Sequence, residues 1–291
     1  MTEPVASRRR FSAVLVLAAA APCALARSAP VVDDRGRVLR LQAPARRIAA
    51  LSPHLAELAF DAGAGGALIA AVRGSDYPPE VKRLPTIGDA AGLDLERILA
   101  LRPDLVLGWL SGNRATDIER LERLGLPVFV SEPRRLRDVP ATLRRVGVLA
   151  GTLAAAERAA RAFEARLARL TPASISAPVS VFAEIWHSPI MTVNGAHLIS
   201  EVLAVCGGHN VFAGMPTLAG SVGLEAVLAA DPQVIIAATP PGQDALAAWR
   251  ALPRLRAVRG GRLHAIDPDL LTRATPRILD GVQQVCAWLR P

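Results

Sequence analysis

The sequence is poor in cysteine, lysine and aromatic rings. Its 291 residues include three cysteines, none of them in a C-x-x-C pair, so zinc-ribbon and thioredoxin-like chemistry have no support. Lys82 is the only lysine, and the arginines are scattered among alanines and leucines. With aromatics at 4% there is no stacking surface, and the formal charge of +8 reads as compositional bias rather than a nucleic-acid-binding stripe. Removing residues 1–26 takes away three Arg and one Glu and leaves +6. No G-x-G-x-x-G opens a helix after the first strand, and neither a P-loop nor a G-x-S-x-G elbow occurs, which argues against an exported α/β enzyme.

The sequence does carry an address at its start. Arg8, Arg9 and Arg10 precede an apolar run over residues 13–21, and Ala24-Leu25-Ala26 supplies a small-x-small cleavage site. That order defines a secretory signal over residues 1–26, cleaved after Ala26, and the run is far short of the roughly 20 residues that span a bilayer. Ser7-Arg8-Arg9-Arg10-Phe11 fits a twin-arginine signal as well as an arginine-rich Sec signal. Pro22 before Cys23 fits a lipid-attachment site poorly. The destination expected is the periplasm. In that oxidising compartment the two remaining cysteines, Cys206 and Cys286, read as a structural disulfide, with two reduced, buried thiols as the alternative.

After residue 26 the pattern alternates short β-like runs with amphipathic helices. Strands are expected over residues 47–51, 68–72, 104–108, 127–131, 179–185 and 263–266, with helices over 53–63, 94–101 and 113–124. Ser52-Pro53 reads as an N-cap and N1 pair. Such alternation implies largely parallel sheets flanked by helices. Residues 153–170 differ: they form an uninterrupted Ala/Glu/Arg-rich stretch without Gly or Pro, about 27 Å long as a helix. The expected fold is α/β, with two Rossmann-like lobes joined by one long rigid helix. The boundaries are residues 27–150 for the N-terminal lobe, 151–172 for the linking helix and 173–291 for the C-terminal lobe.

An internal repeat supports two related lobes. Residues 93–107 align without gaps on residues 222–236, with Leu95/Leu224, Glu96/Glu225, Leu99/Leu228, Ala100/Ala229 and Pro103/Pro232 identical. Two generic helix–Pro–strand units could converge on the apolar positions, but packing alone does not ask for the shared glutamate.

Ligands of open parallel sheets sit beyond the carboxyl ends of strands, and that is where the large aromatics fall. Tyr77 follows the strand ending near Val72, Trp109 directly follows residues 104–108, and Trp186 and His187 follow the strand over 179–185. Asp269 and Arg273 follow residues 263–266. Aromatic faces with a few polar groups suit a large, flat, partly apolar ligand. Trp249 and Trp288 lie on helical segments and are expected in the core. His54 and His187 fall on the cleft side, but no set of convergent His and carboxylate ligands for a free metal ion can be assembled.

These residues resemble a known family. Ser75-Asp76-Tyr77-Pro78-Pro79, Leu95-Glu96-Arg97-Ile98, Leu101-Arg102-Pro103-Asp104-Leu105-Val106 and Trp109 with Gly112-Asn113 are similar to the cobalamin-binding periplasmic proteins of ABC importers. In the second half the resemblance rests on Glu201-Val202-Leu203, Cys206-Gly207-Gly208, Asn210, Phe212, Arg273-Ala274, Pro276-Arg277-Ile278, Gln283-Gln284 and Cys286. It implies two lobes on one helical backbone, little hinge closure and a Cys206–Cys286 disulfide. It also implies a corrinoid held by Tyr77, Trp109, Trp186, Asp269 and Arg273; His54, read from its place on the cleft side, is a further candidate contact. Glu96 and Glu225 would dock onto arginines of a permease served by a cytoplasmic ATPase. The protein would be a monomer without catalytic residues, and cobalamin its cargo rather than a cofactor. Three cleft tryptophans of the family fall at Ala90, Ala219 and Leu270 here, so the cleft is expected to be roomier. Haem- and ferric-siderophore-binding proteins share the architecture, and haem would want an axial ligand such as Tyr77, His54 or His187.

Overall fold

The computed structural model describes residues 29–89, 91–171 and 177–290; the signal segment, Cys23 and Ala90 lie outside them. The first sheet has the order Leu68–Ala71, Ile48–Ala50, Leu105–Trp109, Val128–Ser131, with every pairing parallel. The second has the order Gly208–Asn210, Val179–Glu184, Val234–Ala238, Leu263–Ile266, again all parallel. Leu105, Val106 and Leu107, like Val234, Ile235 and Ile236, are buried on consecutive positions. Such runs mark strands covered by helices on both faces, which is the rule for parallel sheets.

Each sheet has the same internal logic. The first strand in chain order lies inside the sheet, the second flanks it on one side and the third on the other. The chain therefore reverses direction across the sheet between Ile48–Ala50 and Leu105–Trp109, and again between Val179–Glu184 and Val234–Ala238. These are the two crevices where an open α/β sheet accepts a ligand.

The repeat extends to the backbone. Helices Leu95–Ala100 and Leu224–Ala230 each lead through a proline into a central strand. Arg102 (φ 48) and Asp231 (φ 38), the positive-φ residues other than glycine among those described, occupy the same position of the two copies. Non-glycine residues enter that region at a steric cost, so a shared instance supports duplication over convergence. The turn after each helix is held by an arginine on the carbonyl of its left-handed residue, Arg47 Nε on Arg102 O at 3.1 Å and Arg256 Nε on Asp231 O at 2.9 Å.

The long helix runs Leu153–Leu170, as its sequence implies, but it does not stand alone. Helix Asp138–Ala150, ended by Gly151 in the left-handed region, folds back against it. Gly147 permits the close approach, since a Cβ there would lie 2.4 Å from the Ala156 Cβ. Arg144 ties the pair through Glu157 at 2.6 Å and Glu164 at 2.7 Å. Further along, Arg166 reaches Asp280 at 2.6 Å, joining the long helix to the C-terminal helix Ile278–Leu289. Cys206, at the end of helix Leu198–Val205, is disulfide-bonded to Cys286. Trp249 is buried as expected, whereas Trp288 is half-buried and stacks on His264 with ring centroids 4.6 Å apart.

One local expectation needs correcting. Ser52 precedes helix Pro53–Asp61 in extended conformation, but its side chain makes no capping bond. Its Oγ instead meets His54 Nδ1 at 2.5 Å. The hydroxyl serves the imidazole rather than the helix.

Candidate ligand cleft

Two arginines from the C-terminal lobe build the polar end of the site. Arg277 makes a bidentate pair with Glu57, Nε to Oε1 at 2.7 Å and NH2 to Oε2 at 2.8 Å. Thr275 Oγ1 donates to the same carboxylate at 2.6 Å, and Glu57 is fully buried. The Arg277 guanidinium also lies over the Tyr77 ring, 3.9 Å from its centroid. Arg273 contacts Asp76 at 2.7 Å, Asp269 at 2.9 Å and the Gly74 carbonyl at 3.1 Å. Burial raises the Asp269 pKa and the Arg273 charge opposes that rise. Hydrogen bonding to Glu57 raises that of Arg277 above the usual arginine range. Asp61, one turn after Glu57, is pushed up to about 7 by burial and then by the Glu57 charge, against the pull of Arg277.

Beside this network, Trp109 and His54 meet edge to face with centroids 5.0 Å apart. Both belong to the crevice of the first sheet. The segment after Trp109 is fixed by Asn113, whose Oδ1 accepts from the Trp109 N–H at 2.7 Å and whose Nδ2 donates to Leu51 O at 2.9 Å. The indole lies over Gly112, where a Cβ would fall 1.8 Å from Cε3; only glycine lets the ring lie there. His54 is buried, its Nε2 has no hydrogen-bond partner, and burial followed by the Arg273 charge lowers its pKa to about 3. It stays a neutral imidazole. A narrow recess of ≈ 30 Å³ joins His54, Trp109 and Glu132 of the first lobe to His197, Leu218 and Thr272 of the second. The opening is therefore between the lobes.

The crevice of the second sheet is wider, ≈ 400 Å³, and is lined by Trp186, His187, Thr239, Pro240 and Gln243. Trp186 is 62% exposed, and its Nε1 donates to Ser188 O at 2.9 Å, leaving the ring face open. Glu184, the last residue of its strand, is buried. It accepts from Trp249 Nε1 at 2.6 Å and faces His187 Nδ1 at 2.6 Å.

The structure thus brings Tyr77, Asp269 and Arg273 into one network and sets His54 against Trp109. It places Trp186 apart from them, at the crevice of the other lobe. Sequence reading passed over Glu57, Asp76, Arg277 and Glu184 as site residues. Glu57 left a readable signal, a lone carboxylate within Leu55-Ala56-Glu57-Leu58-Ala59, because acidic side chains are rarely buried unless paired. Leu270 packs against the core, and Ala219 lies exposed on the ribbon strand Ala219–Ser221. Glu96 and Glu225 are exposed in the first turns of the two repeated helices.

Two α/β lobes on a helical backbone, with aromatic and charged groups gathered at facing strand ends, define a two-lobed solute-binding protein. Residues 48–270 match the periplasmic binding protein family model, and the chain belongs to that family. It is 34% identical over 254 residues to the vitamin B12-binding protein of Vibrio cholerae serotype O1, covering 85% of this chain and 90% of the relative. It is 35% identical over 247 residues to that of Pectobacterium carotovorum, covering 84% and 88%. The crystal structure of the periplasmic vitamin B12 binding protein of Vibrio cholerae superposes with a TM-score of 0.79 at 34% identity, over 85% of this chain and 97% of that one. The periplasmic heme-binding protein of Roseiflexus sp. RS-1 superposes with a TM-score of 0.74 at 25% identity, over 84% and 97%.

Proposed function

We propose that this chain is the periplasmic component of an ABC importer, binding cobalamin or a related corrinoid between its lobes and passing it to the permease. The observation that carries this reading is the 34% identity to a vitamin B12-binding protein across both lobes. The chemistry of the site agrees: the exposed ring of Trp186, with the aromatic groups Tyr77 and Trp109, suits the apolar plane of a macrocycle, and Asp269 and Arg273 suit its polar side arms. Export uses the Sec or twin-arginine signal over residues 1–26. The role is capture and delivery without catalysis, by a monomer. A haem reading is favoured by one relation, the likeness to a heme-binding protein at 25% identity.

Titration of the mature protein with cyanocobalamin, cobinamide and haemin, followed by visible absorption, tests the reading. Tight corrinoid binding with an unchanged haem Soret band is the expected result. A Soret change with haemin and no corrinoid binding overturns it in favour of haem.

A further inference from the structure

Arg277 uses two different surfaces of one guanidinium. Its edge is engaged by Glu57, with Nε to Oε1 at 2.7 Å and NH2 to Oε2 at 2.8 Å. Such a fork fixes the plane of the group as well as its place. Its flat face is left over, and the Tyr77 ring lies under it, with the ring centroid 3.9 Å from Cζ. Arginine can do both at once because it is planar, whereas an ammonium is a point charge and cannot. The Glu57 side chain has no exposed surface and that of Arg277 is 22% exposed, so the stack is anchored in the core.

The contact crosses from one lobe to the other. Tyr77 belongs to the segment after strand Leu68–Ala71 of the first lobe, and Arg277 precedes helix Ile278–Leu289 of the second. Arg273 holds the same segment, through Asp76 at 2.7 Å and the Gly74 carbonyl at 3.1 Å. Residues 74–77 are thus gripped from the opposite lobe at a backbone carbonyl, a carboxylate and a ring. Tyr77 lies at the seam between the lobes because its stacking partner comes from the other one. It is 40% exposed, and with a cation over one face that exposure belongs to the opposite face and the ring edge.

We infer that Arg277 is a positioning residue for cargo: from the second lobe it fixes the plane of the Tyr77 ring, whose opposite face receives the apolar plane of the corrinoid. This rests on the corrinoid reading above. A cation over a ring face is attracted by the ring quadrupole, and the attraction strengthens as water is excluded. A macrocycle laid on the free face excludes water, so the stack tightens when cargo is bound. The ring is offered already oriented, and binding does not have to order it. Arg277 needs no contact with the corrinoid for this role.

The test uses the mature protein with cyanocobalamin and cobinamide. Tyr77 is the only tyrosine in the chain, so a carbon-13 tyrosine ring label gives a single reporter in NMR spectra. Through-space contacts between its ring protons and the Arg277 Hδ protons should be present in the free protein. They should persist with cyanocobalamin bound, while the ring signal shifts. Absence of these contacts, or their loss on binding, overturns the inference without any variant having to fold. Affinities then complete a cycle: Arg277→Lys should weaken cyanocobalamin binding about 5-fold and Tyr77→Leu about 10-fold. The double variant should bind like Tyr77→Leu, because Arg277 acts only through the ring. A merely structural arginine would weaken binding again in the double variant, and that result overturns the inference. Binding that leaves both the ring signal and the Tyr77→Leu affinity unchanged overturns it too, and leaves the corrinoid reading standing. Failure of wild type to bind either corrinoid removes both.

Discussion

Arg277 reaches across from the C-terminal lobe and closes a bidentate pair on Glu57, a carboxylate with no exposed surface. Two charges out of water are held here at a cost, and the pair repays it only while both partners and Thr275 remain. Arg277→Met should therefore destabilise the protein by about 3 kcal/mol, because it leaves the buried Glu57 carboxylate with only Thr275 and the more distant Arg273, at 3.9 Å. Adding Glu57→Gln should return part of that loss, since the two sites share one interaction and are not additive. Urea unfolding of the two single variants and the double variant measures the coupling directly. Additive losses would show that the lobes are not linked through this pair.

Asp61 gives this region a pH dependence with a definite sign. Its folded pKa is raised from 3.8 to about 7 by burial and the Glu57 charge. Between those values the folded state binds more protons than the unfolded one, so stability falls as pH rises from about 4 to 7 and the penalty is complete above about 7. A shift of this size is worth up to about 4 kcal/mol. Asp61→Asn should flatten the stability curve over that window and raise stability at pH 8, read from melting temperatures across a pH series. An unchanged curve in the variant would place the dependence on another group.

Much of this fold was legible because its signals are local. The helix Leu153–Leu170 has no breaker and strong formers throughout, and the strands carry buried runs bounded by Pro and Gly. The repeat was legible too, though its left-handed residues Arg102 and Asp231 were not, since neither residue type announces that backbone. The groups that join the lobes were harder to see. Arg277 meets Glu57 over a separation of 220 residues, and no period or motif encodes such a pairing. Glu184 looked like an ordinary strand residue because its two partners, Trp249 and His187, lie on different segments. Helix Asp138–Ala150 is not announced by the sequence although it packs against helix Leu153–Leu170. Its Pro140 and Gly147 read as breakers, yet Pro140 sits in the first turn, where its missing N–H costs nothing, and Gly147 is the contact point with Ala156.

The disulfide closes a span of 80 residues between Cys206 and Cys286. In the chain-entropy view a loop of that size stabilises the fold by about 4 kcal/mol, mostly by restricting the unfolded chain. The paired replacement Cys206→Ala with Cys286→Ala should lower the urea midpoint accordingly. Because the bond joins helix Leu198–Val205 to the C-terminal helix and neither cysteine lines the two crevices, corrinoid affinity under folding conditions should change little. A large loss of affinity at unchanged stability would mean that the bond also shapes the cleft.

Glu96 and Glu225 sit on equivalent helices of the two lobes, exposed, in first turns that favour negative charge. First-turn stabilisation alone would be served by either acidic residue at either helix independently, and reversing one would affect only local stability. Docking onto a two-fold permease makes a different demand, because both lobes must engage together and complementary charge sets orientation and encounter rate. Reversal at both positions, Glu96→Arg with Glu225→Arg, should abolish most uptake by the importer reconstituted in vesicles and leave corrinoid affinity intact. Either single reversal should reduce uptake less, and added salt should weaken wild-type docking as exposed charges are screened. Full uptake by the double variant would return these glutamates to ordinary solvated helix residues.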